Sequence, residues 1–182
     1  MSLVRAGLLP PPPKSLTILV DTRERTPLLF PSNVLIHFDG GRKQKHVLHA
    51  VSIKTESATL SAGDYQLSQP ENFFVIERKA GLRELSDNLL SSDCARQYRA
   101  FSRLKDFQHR YLLIEESPSS AMTAKLRHEI DVWETLRRTT EACLRFGLTP
   151  LYIGTIRDHS ARLKAGEFLC LLFLAHLRAS YQ

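Results

Sequence analysis

Phe73-Phe74-Val75-Ile76 runs directly into Glu77-Arg78-Lys79, and no other stretch restricts the fold as tightly. The run has the length and the aromatic and β-branched content of a strand. Its apolar half belongs in a core, whereas three consecutive charges do not. A strand built this way ends at the rim of a sheet. Side chains alternate between faces, so Glu77 and Lys79 point one way and Arg78 the other.

The pattern recurs. Leu16-Thr17-Ile18-Leu19-Val20 ends on Asp21-Thr22-Arg23-Glu24, and Tyr111-Leu112-Leu113-Ile114 ends on Glu115-Glu116. Ligand sites of open α/β sheets gather at such rims. Val34 to Phe38 reads as a strand, followed by an Asp39-Gly40-Gly41 turn and a basic loop, Arg42 to His46. Val47 to Thr59 should return antiparallel. The loop suits a solvated hairpin tip or a phosphate contact. Gly63-Asp64-Tyr65 is separated from the Phe73 strand by a turn-like Gln69-Pro70-Glu71-Asn72. Pairing of the two segments brings Asp64 and Glu77 together.

Helical spacing begins after Lys79. Leu82, Leu85, Leu89 and Leu90 share one face of a helix. Ser92 or Asp93 can cap a second helix that buries Cys94, Tyr98, Phe101 and Leu104. Arg96, Arg99 and Arg103 form a stripe beside that apolar face with no acid among them. It suits an exposed charged face or a DNA-facing one. Ser117 to Ser120 reads as a loop. A long helix is expected from Thr123 to Phe146, with Ile130, Trp133, Leu136 and Leu144 inward and Gly147 as its stop. A strand over Leu148–Ile153 and a helix over Arg157–Ala179 complete the chain. The last helix is apolar all round from Phe168 to Leu174, so it is either buried on every side or covered by a partner subunit.

The 182 residues suit one α/β domain, and the alternation of strands and helices shows no repeats. Pro10 to Pro13 mark residues 1–14 as a flexible proline-rich arm, leaving 15–182 as the domain. The net charge of +6 suits a polyanionic partner without naming one. Three dispersed cysteines, Cys94, Cys143 and Cys170, form neither a disulfide framework nor a zinc site, which favours an intracellular compartment. No apolar run reaches the length of a membrane span, and Leu8-Leu9 is too short for a signal peptide.

Two carboxylates and a lysine at one rim suggest a chemistry. Phosphodiester cleavage needs in-line attack by water, neutralised phosphate charge and a stabilised leaving oxygen. Magnesium held by carboxylate oxygens provides all three. Asp64 and Glu77 suit this role, with Asp21 as a third ligand. Lys79 can orient or deprotonate water, or stabilise the pentacoordinate charge. Arg78, facing away, suits the site's backbone or an outer acid, and Arg23 and Glu24 suit the surrounding shell. The plainer reading is a charged strand end, since acid-x-lysine triplets are common.

Val20-Asp21-Thr22-Arg23-Glu24, Gly63-Asp64-Tyr65 and Ile76-Glu77-Arg78-Lys79 resemble, in order, the motifs of the XPF-type structure-selective endonucleases, whose signature is G-D-x(n)-E-R-K-x(3)-D. The resemblance is well marked over Leu16 to Glu115. It implies a restriction-endonuclease-like α/β fold, a mixed sheet flanked by helices. It implies Asp64 and Glu77 as metal ligands, Asp21 assisting at the metal, and Lys79 and Arg78 as essential to cleavage. Mg2+ is the implied cofactor, with Mn2+ as a substitute. The implied substrate is branched, flapped or junction DNA in repair or recombination, cut by a homodimer or heterodimer formed through the C-terminal helices. Arg23, Arg96, Arg99 and Arg103 would meet the DNA. Arg96 resembles the start of the family's R-x-x-x-Q-x-x-x-L helix, and Leu104 its end.

The chain departs from the pattern at two places. Arg83 stands where the signature has Asp, with Glu84 one position later as a substitute, and Ala100 stands at the helix glutamine. Helicase motifs and tandem helix-hairpin-helix segments are not found, so the chain resembles short, stand-alone bacterial and phage versions. The implied location is the cytoplasm or nucleoid, or the nucleus in a eukaryote. Two alternatives remain: an inactive DNA-binding or scaffold subunit, and a restriction or repair nuclease of the same fold.

Overall fold

The computed structural model describes residues 11–38, 47–92, 94–126 and 131–180. The strands are β1 (Ser15–Asp21), β2 (Asn33–Phe38), β3 (Val47–Ala58), β4 (Tyr65–Leu67), β5 (Phe74–Lys79), β6 (His109–Ile114) and β7 (Thr149–Tyr152). The helices are α1 (Leu82–Leu89), α2 (Cys94–Arg103), α3 (Pro118–Met122), α4 (Val132–Phe146) and α5 (His159–Ala179), with a 3-10 turn at Leu104–Asp106. The strands form one mixed sheet in the order β2-β3-β1-β4-β5-β6-β7.

Strand direction decides where the charges go. β4 is antiparallel to both of its neighbours, β1 and β5, which therefore run the same way. Asp21 and Lys79 thus finish at one rim, and Asp64, just before β4, reaches that rim from the opposite direction. The ladder continues past β4: Asp21 N–H donates to Asp64 O at 2.9 Å, and Asp64 N–H to Ile76 O at 2.7 Å. Asp21, Asp64 and Glu77 consequently form one row across three neighbouring strands.

Alternation sorts the core into two layers. Ile18, Tyr65, Phe74, Ile76 and Leu113 pack on one face against Leu169, Cys170, Phe173 and Leu174 of α5. Val75, Leu112 and Ile114 pack on the other against Leu82, Leu85 and Leu89 of α1, Phe101 of α2, and Cys143 and Phe146 of α4. Arg78 therefore lies on the α5 face, and Glu77 and Lys79 on the α1 face. The mixed sheet with helices on both faces is the expected fold class. Residues 11–14 of the arm lie against the sheet: Pro12 is buried, and the Lys14 carbonyl accepts from Ser52 N–H at 3.0 Å. The arm before them, the Asp39-Gly40-Gly41 turn and the Arg42–His46 loop lie outside the described residues.

The expected long helix is shorter, and a further short helix precedes it. Ser117 caps the short α3 through its side chain, in a segment expected to be a loop. Asp131 caps α4 by accepting from Trp133 N–H, so α4 begins at Val132, not at Thr123. Ile130 lies outside the described residues. Trp133 and Leu144 are 62% and 79% exposed, whereas Thr135, Thr139, Ala142, Cys143 and Phe146 face inward. Threonine can line this face because its hydroxyl bonds the preceding turn, as Thr139 Oγ1 does to Thr135 O at 2.8 Å. On α2, Gln97 and Phe101 are buried, whereas Cys94 and Tyr98 are only half-buried. α5 is two-sided, with Phe168 and Leu171 partly exposed opposite its buried face.

Candidate active site

Gly63 makes the turn that delivers Asp64. Its φ is +67°, and a Cβ there would sit 2.4 Å from the Val75 side chain and 2.8 Å from Ile76 O. Only glycine allows the two strands to close at this point. Asp64 Oδ2 accepts from the Arg78 backbone N–H at 2.7 Å, so β5 itself holds the carboxylate. Burial, and then the charge of Glu77, push Asp64 up to about 7, against the pull of the Arg78 N–H and Lys79.

Lys79 is buried, with Nζ 2.9 Å from Glu77 Oε1 and 3.4 Å from Glu84 Oε1. Burial alone would lower its pKa. Glu77 and Glu84 together outweigh that and raise it, so Lys79 is an ammonium at neutral pH. Glu84 also accepts from Ala80 N–H at 2.8 Å, which ties the first turn of α1 to the end of β5. On the opposite face Arg78 bonds Glu115 through Nε and lies 3.1 Å from Glu24. It also donates to Thr26 O at 2.7 Å. Glu24 and Glu84 thus both stand beside the site, each against one of the two basic residues of β5.

Asp21 is placed differently from expectation. It shares the row with Asp64 and Glu77, but its carboxylate is turned to Arg23, accepting from Arg23 N at 2.7 Å and Nε at 2.8 Å. Leu60 N–H adds a longer contact at 3.3 Å. Arg23, the largest influence, holds the Asp21 carboxyl below its usual range. Among the described residues no three His, Cys, Asp or Glu side chains are grouped to hold a metal. Asp64 and Glu77 remain as a close carboxylate pair. Hard oxygen donors and mutual repulsion suit a divalent cation, which would relieve that repulsion.

Two adjoining clefts share Lys79 and Glu84. One, of about 290 Å³, is lined by Glu24, Thr26, Asp64, Arg78, Lys79, Ala80 and Glu84. The other, of about 410 Å³, is lined by Arg23, Arg96, Arg99 and Arg103, the four arginines expected to contact DNA. Arg103 Nε also donates to Ser61 O at 3.1 Å, tying α2 to the loop before Gly63. The sequence reading missed Gln97, which lines this second cleft. Gln97 is buried, and its Nε2 has no hydrogen-bond partner among the described residues. The signal was its position: Gln97 lies between Cys94 and Phe101 on the inward stripe of α2, where a polar side chain is out of place.

No family model matches the sequence, and no curated protein does. Solved structures do. XPF from Aeropyrum pernix superposes with a TM-score of 0.52 and 14% identity over 91% of this chain. XPF from Aeropyrum pernix in complex with DNA superposes with a TM-score of 0.53 and 15% identity over 92% of this chain. The chain covers 65% and 66% of those two chains. At such identity the likeness is one of fold, and the chain has the restriction-endonuclease-like fold of XPF.

Proposed function

We propose that this protein is a Mg2+-dependent endonuclease that hydrolyses phosphodiester bonds of DNA, at branched, flapped or junction structures in repair or recombination. The observation that carries the reading is the placing of Asp64 beside Glu77 on neighbouring strands, with Asp64 facing a cleft that it shares with the Lys79 ammonium, whose Nζ is 2.9 Å from Glu77. A fold shared with XPF, one solved form of which is a complex with DNA, supports it.

In this reading Asp64 and Glu77 hold the cation, and Mn2+ replaces Mg2+. The bound cation supplies neutralisation of phosphate charge and activation of water. Lys79, held as an ammonium, stabilises negative charge on the phosphoryl oxygens rather than removing a proton. Arg78 fixes the end of β5 between Glu24 and Glu115, so that its own N–H meets Asp64. Arg23, Arg96, Arg99 and Arg103 receive the phosphates of the bound strand. The test is cleavage of labelled flap, fork, four-way junction and linear duplex DNA with Mg2+ by the wild type and Asp64→Ala. Wild-type cutting no greater than that of the variant would remove the enzyme reading. DNA binding without cutting would leave an inactive DNA-binding subunit, a reading favoured by the engagement of Asp21 with Arg23. Linear duplex cut as well as branched DNA would point to a restriction-type enzyme.

The protein also works as a homodimer or heterodimer through its C-terminal helices. Phe168 and Leu171 are partly exposed on α5, and Phe168 borders a hollow with Tyr152, Ile153 and Ile156. Sedimentation as a monomer at high concentration would remove this part of the reading.

A further inference from the structure

Arg23 stands between the two parts of the proposed site. Its guanidinium grips Asp21, which is 1% exposed, while the arginine side chain itself is 67% exposed. Asp21 is its first partner and raises its pKa most, and Asp64 and Glu77 add to that. The same side chain lines the cleft formed by Arg96, Arg99 and Arg103. Its Nη2 also donates to Leu60 O at 2.9 Å.

We infer that Arg23 is the resident counter-ion of Asp21 and exchanges it for a DNA phosphate when the strand enters the arginine-lined cleft. The inference rests on the nuclease reading above. Two observations carry it. Asp21 shares the row of Asp64 and Glu77, yet its carboxylate is wholly engaged by Arg23 and Leu60. The partner that engages it is an arginine that is itself largely exposed and lines the arginine-rich cleft, so an incoming phosphate can reach the guanidinium. A phosphate offers the same guanidinium an equivalent bidentate partner. Once Arg23 leaves, the Asp21 carboxylate is released beside Asp64 as a third ligand for the cation. Arg23 acts on the metal through Asp21 and is a positioning residue. By linkage, metal and DNA should then favour each other's binding.

The exchange makes predictions of opposite sign that a merely structural clasp does not. Mn2+ binding to the full chain is measured by loss of the free-ion electron paramagnetic resonance signal, without DNA. Arg23→Gln should bind Mn2+ about tenfold tighter than the wild type, a typical coupling between linked sites. Adding Asp21→Asn to that variant should abolish the gain. Binding of a labelled flapped duplex is measured by fluorescence anisotropy in chelator. Asp21→Asn should bind it tighter than the wild type because Arg23 is released, and Arg23→Gln should bind it more weakly. Circular dichroism monitors folding, and Arg23→Lys serves if Arg23→Gln does not fold. A lysine cannot chelate both oxygens, so its Mn2+ affinity should lie between those of the wild type and Arg23→Gln. Unchanged or weaker Mn2+ binding by Arg23→Gln, or by Arg23→Lys in its place, overturns the inference. So does Asp21→Asn binding DNA no tighter than the wild type. Asp64→Asn separates the two levels: if it binds Mn2+ as the wild type does, the metal-site reading itself has failed.

Discussion

The Arg78 backbone N–H donates to Asp64 Oδ2 at 2.7 Å, so the strand that carries Glu77 and Lys79 also positions the aspartate opposite. The bond uses main chain, and the Arg78 side chain leaves on the other face of the sheet. Asp64→Asn keeps an acceptor for this N–H while removing the charge. Under the proposed function it should lose about a thousandfold or more in cleavage and stay folded. Urea unfolding at pH 8 without metal should show it about 1–2 kcal/mol more stable than the wild type, because it relieves a buried repulsion.

The pH dependence has a definite sign. Asp64 is raised to about 7 in the fold and ionises near 3.9 when unfolded. Between these values the native state binds more protons than the unfolded state, so stability falls as pH rises through this window. Above pH 7 the penalty is complete. Thermal melts of metal-free protein from pH 4 to 8 should show this component of the decline. Mg2+ near neutral pH should offset it, by about 2.7 kcal/mol at a hundredfold excess over its dissociation constant. The decline should be smaller in Asp64→Asn.

Lys79→Met removes the cation that pulls Asp64 down. Its rate should fall by about a hundred- to a thousandfold. The acidic limb of its pH–rate profile should shift toward higher pH, because Asp64 then holds its proton longer. A purely structural lysine would change stability and leave the limb in place.

Arg78→Met should fail in another way. It strands Glu24 and Glu115 at a partly buried position and opens the bond to Thr26 O. A loss of about 3 kcal/mol in urea unfolding is expected for breaking such a pair from one side. Activity should fall together with the melting temperature.

The register of α4 is tested on its two faces. Trp133→Ser and Leu144→Ser should each change stability by less than about 0.5 kcal/mol in a monomer. Phe146→Ala, on the buried face, should cost about 3 kcal/mol or more.

The strands and the acid pair were legible because their signals are local. An apolar run ending in charges specifies both a core and a rim, and a period of two puts Glu77 and Lys79 on one side. The cleft of Arg23, Arg96, Arg99 and Arg103 was legible in part, since helical spacing aligned three of these side chains and Arg23 came from the rim of β1. Other features were not local. The orientation of Asp21 is set by Arg23 two residues away, and either Arg23 or a cation could satisfy the same carboxylate. The start of α4 was missed because apolar spacing continued across a boundary that the Asp131 cap imposes. Its inner face was misassigned because threonines that bond their own backbone pack as apolar residues. Gln97 announces itself only as a polar residue on an inward stripe, a pattern that structural polar residues share.

β4 is three residues long and runs against both of its neighbours. It sets Asp64 between Asp21 and Glu77 although 42 residues separate the first two in the chain. Most of that interval is the β2–β3 hairpin, which extends the sheet away from the site. The spacing of the acids is therefore set by pairing rather than by chain length. The hairpin can be lengthened, shortened or rebuilt for a new partner while the carboxylates keep their places. The fold thus separates what must be conserved in space from what is free to vary in sequence.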